Sequence, residues 1–318
     1  MNILRSSCRL GSAFALGLGL LASPMVSSGQ ALAHGEGKIH TEQVDISYET
    51  FGKSTAALPM VIVNGGPGLS HAYLLATDIW KQLAQKRQVI FYDQRGTGAS
   101  KIALTGAPQT LDAQVADLEA VRNGLGISKF ILVGDSYGGF LSIAYASAHP
   151  EHIAKLVLSA AAGSNLNDIV HLFDQVFPDA MEVEKQQEAK PSVMTKETAD
   201  ASMRNHFNLL FYSLGKRDLY FKKIGPMRSL GFDLAVSEAV SKDASKADFT
   251  SRLAGFRFPT LVIAGRYDMN VAPLTAWRLK QAIPGAQLVF FEQSGHFPWF
   301  EEPAKYRTVI EQFMDSQN

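Results

Sequence analysis

Along the chain, short runs of apolar and β-branched residues alternate with longer stretches in which apolar residues recur every three or four positions. The short runs lie at Gln43 to Thr50, Met60 to Val63, Gln88 to Tyr92, Lys129 to Val133, Lys155 to Ser159, Thr260 to Ala264 and Gln287 to Phe291. Most are continuous rather than alternating, as expected of strands covered on both faces in a parallel sheet. The longer stretches predict helices at Tyr73 to Gln85, Thr110 to Leu125, Tyr137 to Ala148, Leu274 to Ala282 and Ala304 to Phe313. In the clearest of them Leu111, Val115, Leu118, Val121 and Leu125 share one helical face behind Thr110, a good N-cap residue. Alternation of this kind predicts an α/β fold built on a doubly wound, mostly parallel sheet.

One region departs from the pattern. Residues 165–255 show no convincing strand, many charges and scattered aromatics such as Phe173, Phe207, Phe211, Tyr220 and Phe232. A stretch of that length is too long for a plain loop, so it predicts a helical cap inserted between two core strands. The core is then residues 34–164 and 256–318. A second domain unrelated to the site is the competing reading.

The first 33 residues stand outside this organisation. Arg5 and Arg9 precede a short apolar stretch, Leu10 to Ala22, and Ala31-Leu32-Ala33 has the small residues of a signal-peptidase site. A stretch of 13 residues is too short to span a bilayer. The expectation is export to the periplasm or medium, with cleavage after Ala33 and no membrane anchor afterwards. The remaining 285 residues carry 28 basic and 30 acidic side chains, a formal charge of −2, and no cysteine, because Cys8 leaves with the leader. Disulfides and thiolate chemistry are thereby excluded from the mature chain. Near-neutral charge leaves no basic field for nucleic acid, and 46% apolar residues exclude disorder.

The chemistry is concentrated at Gly134-Asp135-Ser136-Tyr137-Gly138-Gly139, between a strand-like run and a helix rich in alanine. This is the strand–turn–helix context of a nucleophile elbow, in which small neighbours let a tight turn present Ser136. A serine hydroxyl needs a base. His296, in the loop after the last strand, supplies one, and Asp268, after the strand ending at Ala264, is placed to orient it. The chain order Ser136, Asp268, His296 is the order of this elbow's hydrolases. The glycine-rich run Asn64-Gly65-Gly66-Pro67-Gly68 follows the strand Met60 to Val63, so the backbone N–H groups of Gly66 and Tyr137 are the expected oxyanion donors. Neither a metal nor an organic cofactor is expected. His149 and His152 have the spacing of a metal pair but fall beside Pro150 at a helix end, where solvated residues are expected. Gly52-Lys53-Ser54 ends like a phosphate-binding loop, yet Ser47 stands where the first glycine belongs.

These segments, with Tyr92-Asp93-Gln94-Arg95-Gly96-Thr97-Gly98-Ala99-Ser100, resemble the proline iminopeptidases, serine peptidases of the α/β-hydrolase fold. The resemblance covers roughly residues 40–160 and 256–312. It implies release of an N-terminal residue, often proline, from a short peptide or amide beneath a helical cap. Two departures bear on this. Asn64 stands where the family usually has histidine. Arg204, in Arg204-Asn205-His206-Phe207, stands where an acidic residue would bind the substrate's ammonium group, leaving Glu182, Glu184, Glu188, Glu197 or Glu238 as other sources of that charge. An esterase or carbon–carbon bond hydrolase would use the same triad with a cap lacking those acids. A non-catalytic binding protein on this scaffold would ordinarily have lost a triad member, and all three are present.

Overall fold

The protein is described from a computed structural model, covering residues 32–188, 196–226 and 230–316. The expected leader and its cleavage site lie outside these residues apart from Leu32 and Ala33. The elements in chain order are β1 (His34–His40), β2 (Val44–Phe51), β3 (Met60–Val63), α1 (Ile79–Leu83), β4 (Val89–Tyr92), β5 (Lys101–Ile102), α2 (Leu111–Gly124), β6 (Phe130–Asp135), α3 (Tyr137–Ala148) and β7 (Ile153–Ser159). They continue with α4 (Phe173–Val176), α5 (Pro178–Glu188), α6 (Lys196–Asn208), α7 (Leu214–Ile224), α8 (Leu234–Ala244), α9 (Thr250–Leu253), β8 (Thr260–Gly265), α10 (Pro273–Ala282), β9 (Gln287–Phe291), α11 (Pro298–Glu301) and α12 (Pro303–Asp315).

The continuous apolar runs become the middle of one sheet, ordered β1-β2-β4-β3-β6-β7-β8-β9, with β5 pairing β2. From β4 to β9 every neighbouring pair is parallel, while β1 and β2 are antiparallel. Because side chains alternate along a strand, Val61, Val63, Leu132 and Leu156 enter one core layer with α2, α3 and α10. Met60, Ile62, Ile131 and Val133 enter the other with α1, α11 and α12. Both faces are covered, which is why these strands read as unbroken apolar runs. Each large aliphatic side chain so buried contributes about 1.5 to 3 kcal/mol.

Two of the differences between the sequence pattern and the structure have a clear physical cause. The helix expected from Tyr73 to Gln85 is broken into a 3-10 turn, His71–Ala76, and α1. Thr77 between them is extended, and its hydroxyl accepts from the Ile79 N–H, the local bonding by which threonine competes with a helical backbone. Strand β1, with two glycines and four charged or histidine residues, has no apolar run. It forms because all seven of its residues pair in register with β2, so its signal lies in the partner. At α2 the Thr110 hydroxyl does accept from the Ala113 N–H.

Between β7 and β8 the described residues form α4 to α9. Their aromatics join those after the last strand: Tyr220 stacks on Phe297 at 5.4 Å and meets Phe300 edge-on at 5.1 Å, and Phe207 lies 5.7 Å from Phe297. On the other side Val236, Val240 and Ala244 of α8 pack in the core layer that holds α2. The Asp243 carboxylate also accepts from the Leu111 N–H at the start of α2, at 3.0 Å. No helix among the described residues is long and apolar enough to cross a membrane.

Candidate active site

At the end of β6 the chain turns into α3 within one residue. Ser136 takes φ 55° and ψ −123°, a region that L-residues avoid and that strained functional turns occupy. The turn closes only because its neighbours have no side chain: a Cβ on Gly134 would lie 2.4 Å from the Gly138 carbonyl, and one on Gly138 would lie 2.1 Å from the Val63 carbonyl. Ser136 is thereby raised above the sheet edge at the start of α3, whose first N–H groups have no intrahelical partner.

The loops after β8 and β9 bring the other two residues to it. Nε2 of His296 is 3.0 Å from the Ser136 Oγ, and Nδ1 is 2.7 Å from Oδ2 of Asp268. The second Asp268 oxygen accepts from the N–H groups of Asn270 and Val271, at 3.0 and 2.8 Å, which holds the carboxylate in place. Both Asp268 and His296 are buried. Burial disfavours the imidazolium, but the charge and hydrogen bond of Asp268 and the charge of Asp135 outweigh it, so the His296 pKa lies above its ordinary value. Nucleophile, base and orienting acid are thus in line.

On the opposite side, Asn64 donates to the carbonyls of Gly65 and Leu69, at 2.9 and 2.8 Å, and so folds the glycine loop on itself. Gln94 donates to the Asn64 carbonyl at 2.7 Å. The Gly65 N–H is already used, donating to the Tyr73 hydroxyl at 2.7 Å, whereas Gly66 lines the cavity beside Ser136.

A family model for the α/β-hydrolase fold matches residues 59–303. The chain belongs to the α/β-hydrolase family. Among characterised relatives, the proline iminopeptidase of Lactobacillus delbrueckii subsp. bulgaricus is 30% identical over 278 residues, covering 84% of this chain and 93% of the relative. That of Saccharolobus solfataricus is 28% identical over 292 residues, covering 86% and 89%. The resemblance to the proline iminopeptidases therefore runs through most of the chain. Solved structures with the same fold include a meta-cleavage product hydrolase from Pseudomonas fluorescens, TM-score 0.70 at 23% identity, covering 89% of this chain and 98% of that one. An esterase from a Rhodococcus species has TM-score 0.70 at 24% identity, covering 91% and 100%.

In this hydrolase a cavity of about 340 Å³ opens over Ser136 and His296. Its walls are mostly apolar: Leu69 and Phe297, with Met203, Phe207, Leu210 and Phe232 from the segment between β7 and β8. The polar groups are few, namely Tyr73, His206, Ser237 and Asn270 beside the triad, and among the described residues no carboxylate lines it. Burial, aided by the charges of His296 and His171, holds His206 down at about 4, so it is neutral at working pH. Arg204, Glu182 and Glu238 are exposed and line no part of the cavity. Arg204 instead lies over the Phe221 ring, 4.1 Å from its centroid. The side chains of Glu184, Glu188 and Glu197 lie outside the described residues.

His149 and His152 come within reach of Glu119, and the three could share an ion. Glu119 is otherwise engaged, accepting from Arg122 at 2.9 and 2.6 Å and from the Tyr145 hydroxyl at 2.7 Å. These donors satisfy the carboxylate without a metal. Sequence reasoning passed over Glu301, which is buried and accepts from the N–H groups of Gly295 and Ser213, at 2.6 and 2.9 Å. It fastens the histidine loop to the turn between α6 and α7. No motif announces it, because its partners are backbone groups brought close by folding.

Proposed function

We propose that this hydrolase cleaves small esters and amides whose acyl side is compact and apolar, through an acyl-enzyme on Ser136. The reading is carried by the cavity: a complete triad opens into mostly apolar walls with no carboxylate among the described residues. His296 takes the hydroxyl proton as Ser136 attacks the carbonyl, and Asp268 holds the imidazole tautomer and stabilises the imidazolium. The N–H groups of Gly66 and Tyr137 receive the oxyanion. His296 then protonates the departing alcohol or amine, and water, activated by the same imidazole, releases the acid.

Release of N-terminal proline is the second reading, favoured by the relatives' activity and by the size of a prolyl ring against these walls. In that case Ser237, Asn270 and neutral His206 are the acceptors available to the amino group. Comparing a proline arylamide with a free amine, its N-acetylated counterpart and a short aryl ester separates the two. Preference for the ester and the blocked amide supports the first; cleavage of the free amine alone rejects it in favour of the second. Export stays a proposal resting on residues 1–33, and a mature protein beginning at Met1 would refute it.

A further inference from the structure

Behind the triad lies a second acid that the mechanism above does not use. Asp135, the last residue of β6, is buried and does not line the cavity. One carboxylate oxygen accepts from the Tyr73 hydroxyl at 2.6 Å, and the other accepts from the Trp299 indole N–H at 3.1 Å. The Tyr73 hydroxyl in turn accepts from the Gly65 N–H, next to the oxyanion donor. Trp299 stands three residues beyond His296, and its ring lies 5.2 Å from Phe297.

We propose that Asp135 is a positioning residue: its carboxylate couples the oxyanion loop, through Tyr73, to the histidine loop, through Trp299, and sets a second negative charge beneath the His296 imidazole. The inference rests on the reading of Ser136, Asp268 and His296 as an acyl-transfer triad. A burial of this kind is costly for a carboxylate unless it is hydrogen-bonded, and here both oxygens are used. Burial raises its pKa to about 6, against the opposing pulls of His296, Tyr73 and Trp299. The groups facing it are Tyr73 from the 3-10 turn, Tyr220 from α7, Tyr306 from α12, and Asp268 and His296 from their loops. All three tyrosines are pushed well up by burial, so the carboxylates beside the imidazole are those of Asp135 and Asp268.

The test is the rate of Ser136 phosphonylation by a fluorophosphonate, measured from pH 5 to 9. Ser136 Oγ bonds phosphorus, fluoride leaves, and the hydroxyl proton passes to His296, so the acidic limb follows the ionisation of the imidazole. Asp135→Asn offers one acceptor oxygen for two donors and no charge. It should slow the plateau about tenfold and move the limb about half a unit to lower pH, since a removed anion destabilises the imidazolium. A role confined to folding would lower the melting temperature and leave the limb in place. Tyr73→Phe keeps the charge and should slow the plateau without that downward move; it also serves if Asp135→Asn does not fold. Wild-type plateau and limb in Asp135→Asn, or an unslowed Tyr73→Phe, would overturn the proposal. Labelling of Ser136→Ala at the wild-type rate would instead remove the triad reading, and this inference with it.

Discussion

His71 and His296 begin alike: each sets Nδ1 2.7 Å from an aspartate, Asp93 in one case and Asp268 in the other. They diverge at the second nitrogen. Nε2 of His71 meets Glu49 at 2.9 Å, whereas Nε2 of His296 meets the Ser136 hydroxyl at 3.0 Å, at the cavity. Burial opposes the charge on His71, but hydrogen bonds and charges from Asp93 and Glu49 push its pKa up to about 9. It is a locked cation that joins β2, the 3-10 turn and the loop after β4. His296 has one carboxylate partner and one hydroxyl, so it can take up a proton and return it. A histidine–aspartate pair becomes a catalytic base only when the far nitrogen is left facing something that reacts.

Substitutions can break this comparison, and the largest effect belongs to the catalytic pair. Ser136→Ala should lower turnover by about 10⁵ to 10⁶ and Asp268→Asn by about 10⁴, both with near-native melting, as steady-state assays and calorimetry would report. Asp93→Asn should leave turnover per folded molecule unchanged; a loss comparable to that of Asp268→Asn would erase the distinction. His71→Gln should cost about 3 kcal/mol in denaturant unfolding, because it strands two carboxylates, again without loss of turnover.

The pH dependence sharpens the contrast. The folded pKa of His71 lies above its ordinary 6.5, so its contribution to stability is complete below 6.5 and lost as pH rises through about 9. Glu49, held down chiefly by its hydrogen bond to His71, and Asp93, held down by His71 despite burial, contribute above their ordinary values of 4.5 and 3.8. Their share is lost as pH falls. Melting temperature should therefore fall between pH 7 and 9 in the wild type, and this fall should be smaller in His71→Gln. The smallest effect is at Arg204: removing its contact with Phe221 should cost about 0.5 to 1 kcal/mol and leave KM within about twofold. A large rise in KM would return Arg204 to the substrate site.

Continuous apolar runs marked the middle strands β3, β4, β6, β7 and β8, because a strand covered on both faces has no polar side to show. Strand β1 had no such mark, since its pairing rather than its composition makes it a strand. The elbow was legible from its glycines, each required by a close approach within a few residues or to the adjacent strand. Asn64 shows the limit of reading by resemblance: standing where the family usually has histidine, it secures the loop through two backbone carbonyls, Gly65 and Leu69.

What the sequence determined by itself is therefore what acts over short distances or through strong apolar patterning: the sheet, the elbow, and the chain order of Ser136, Asp268 and His296. Tertiary structure alone decided which polar groups meet across long separations. Asp135 finds Tyr73 at 62 positions' remove and Trp299 at 164, and His71 finds Glu49 and Asp93, each 22 residues away, on opposite sides. The physical reason is that apolar burial is non-directional and tolerates many partners, whereas a buried hydrogen bond demands a particular donor and acceptor within about 3 Å. Only the closed fold, with its core already packed, specifies distances that finely.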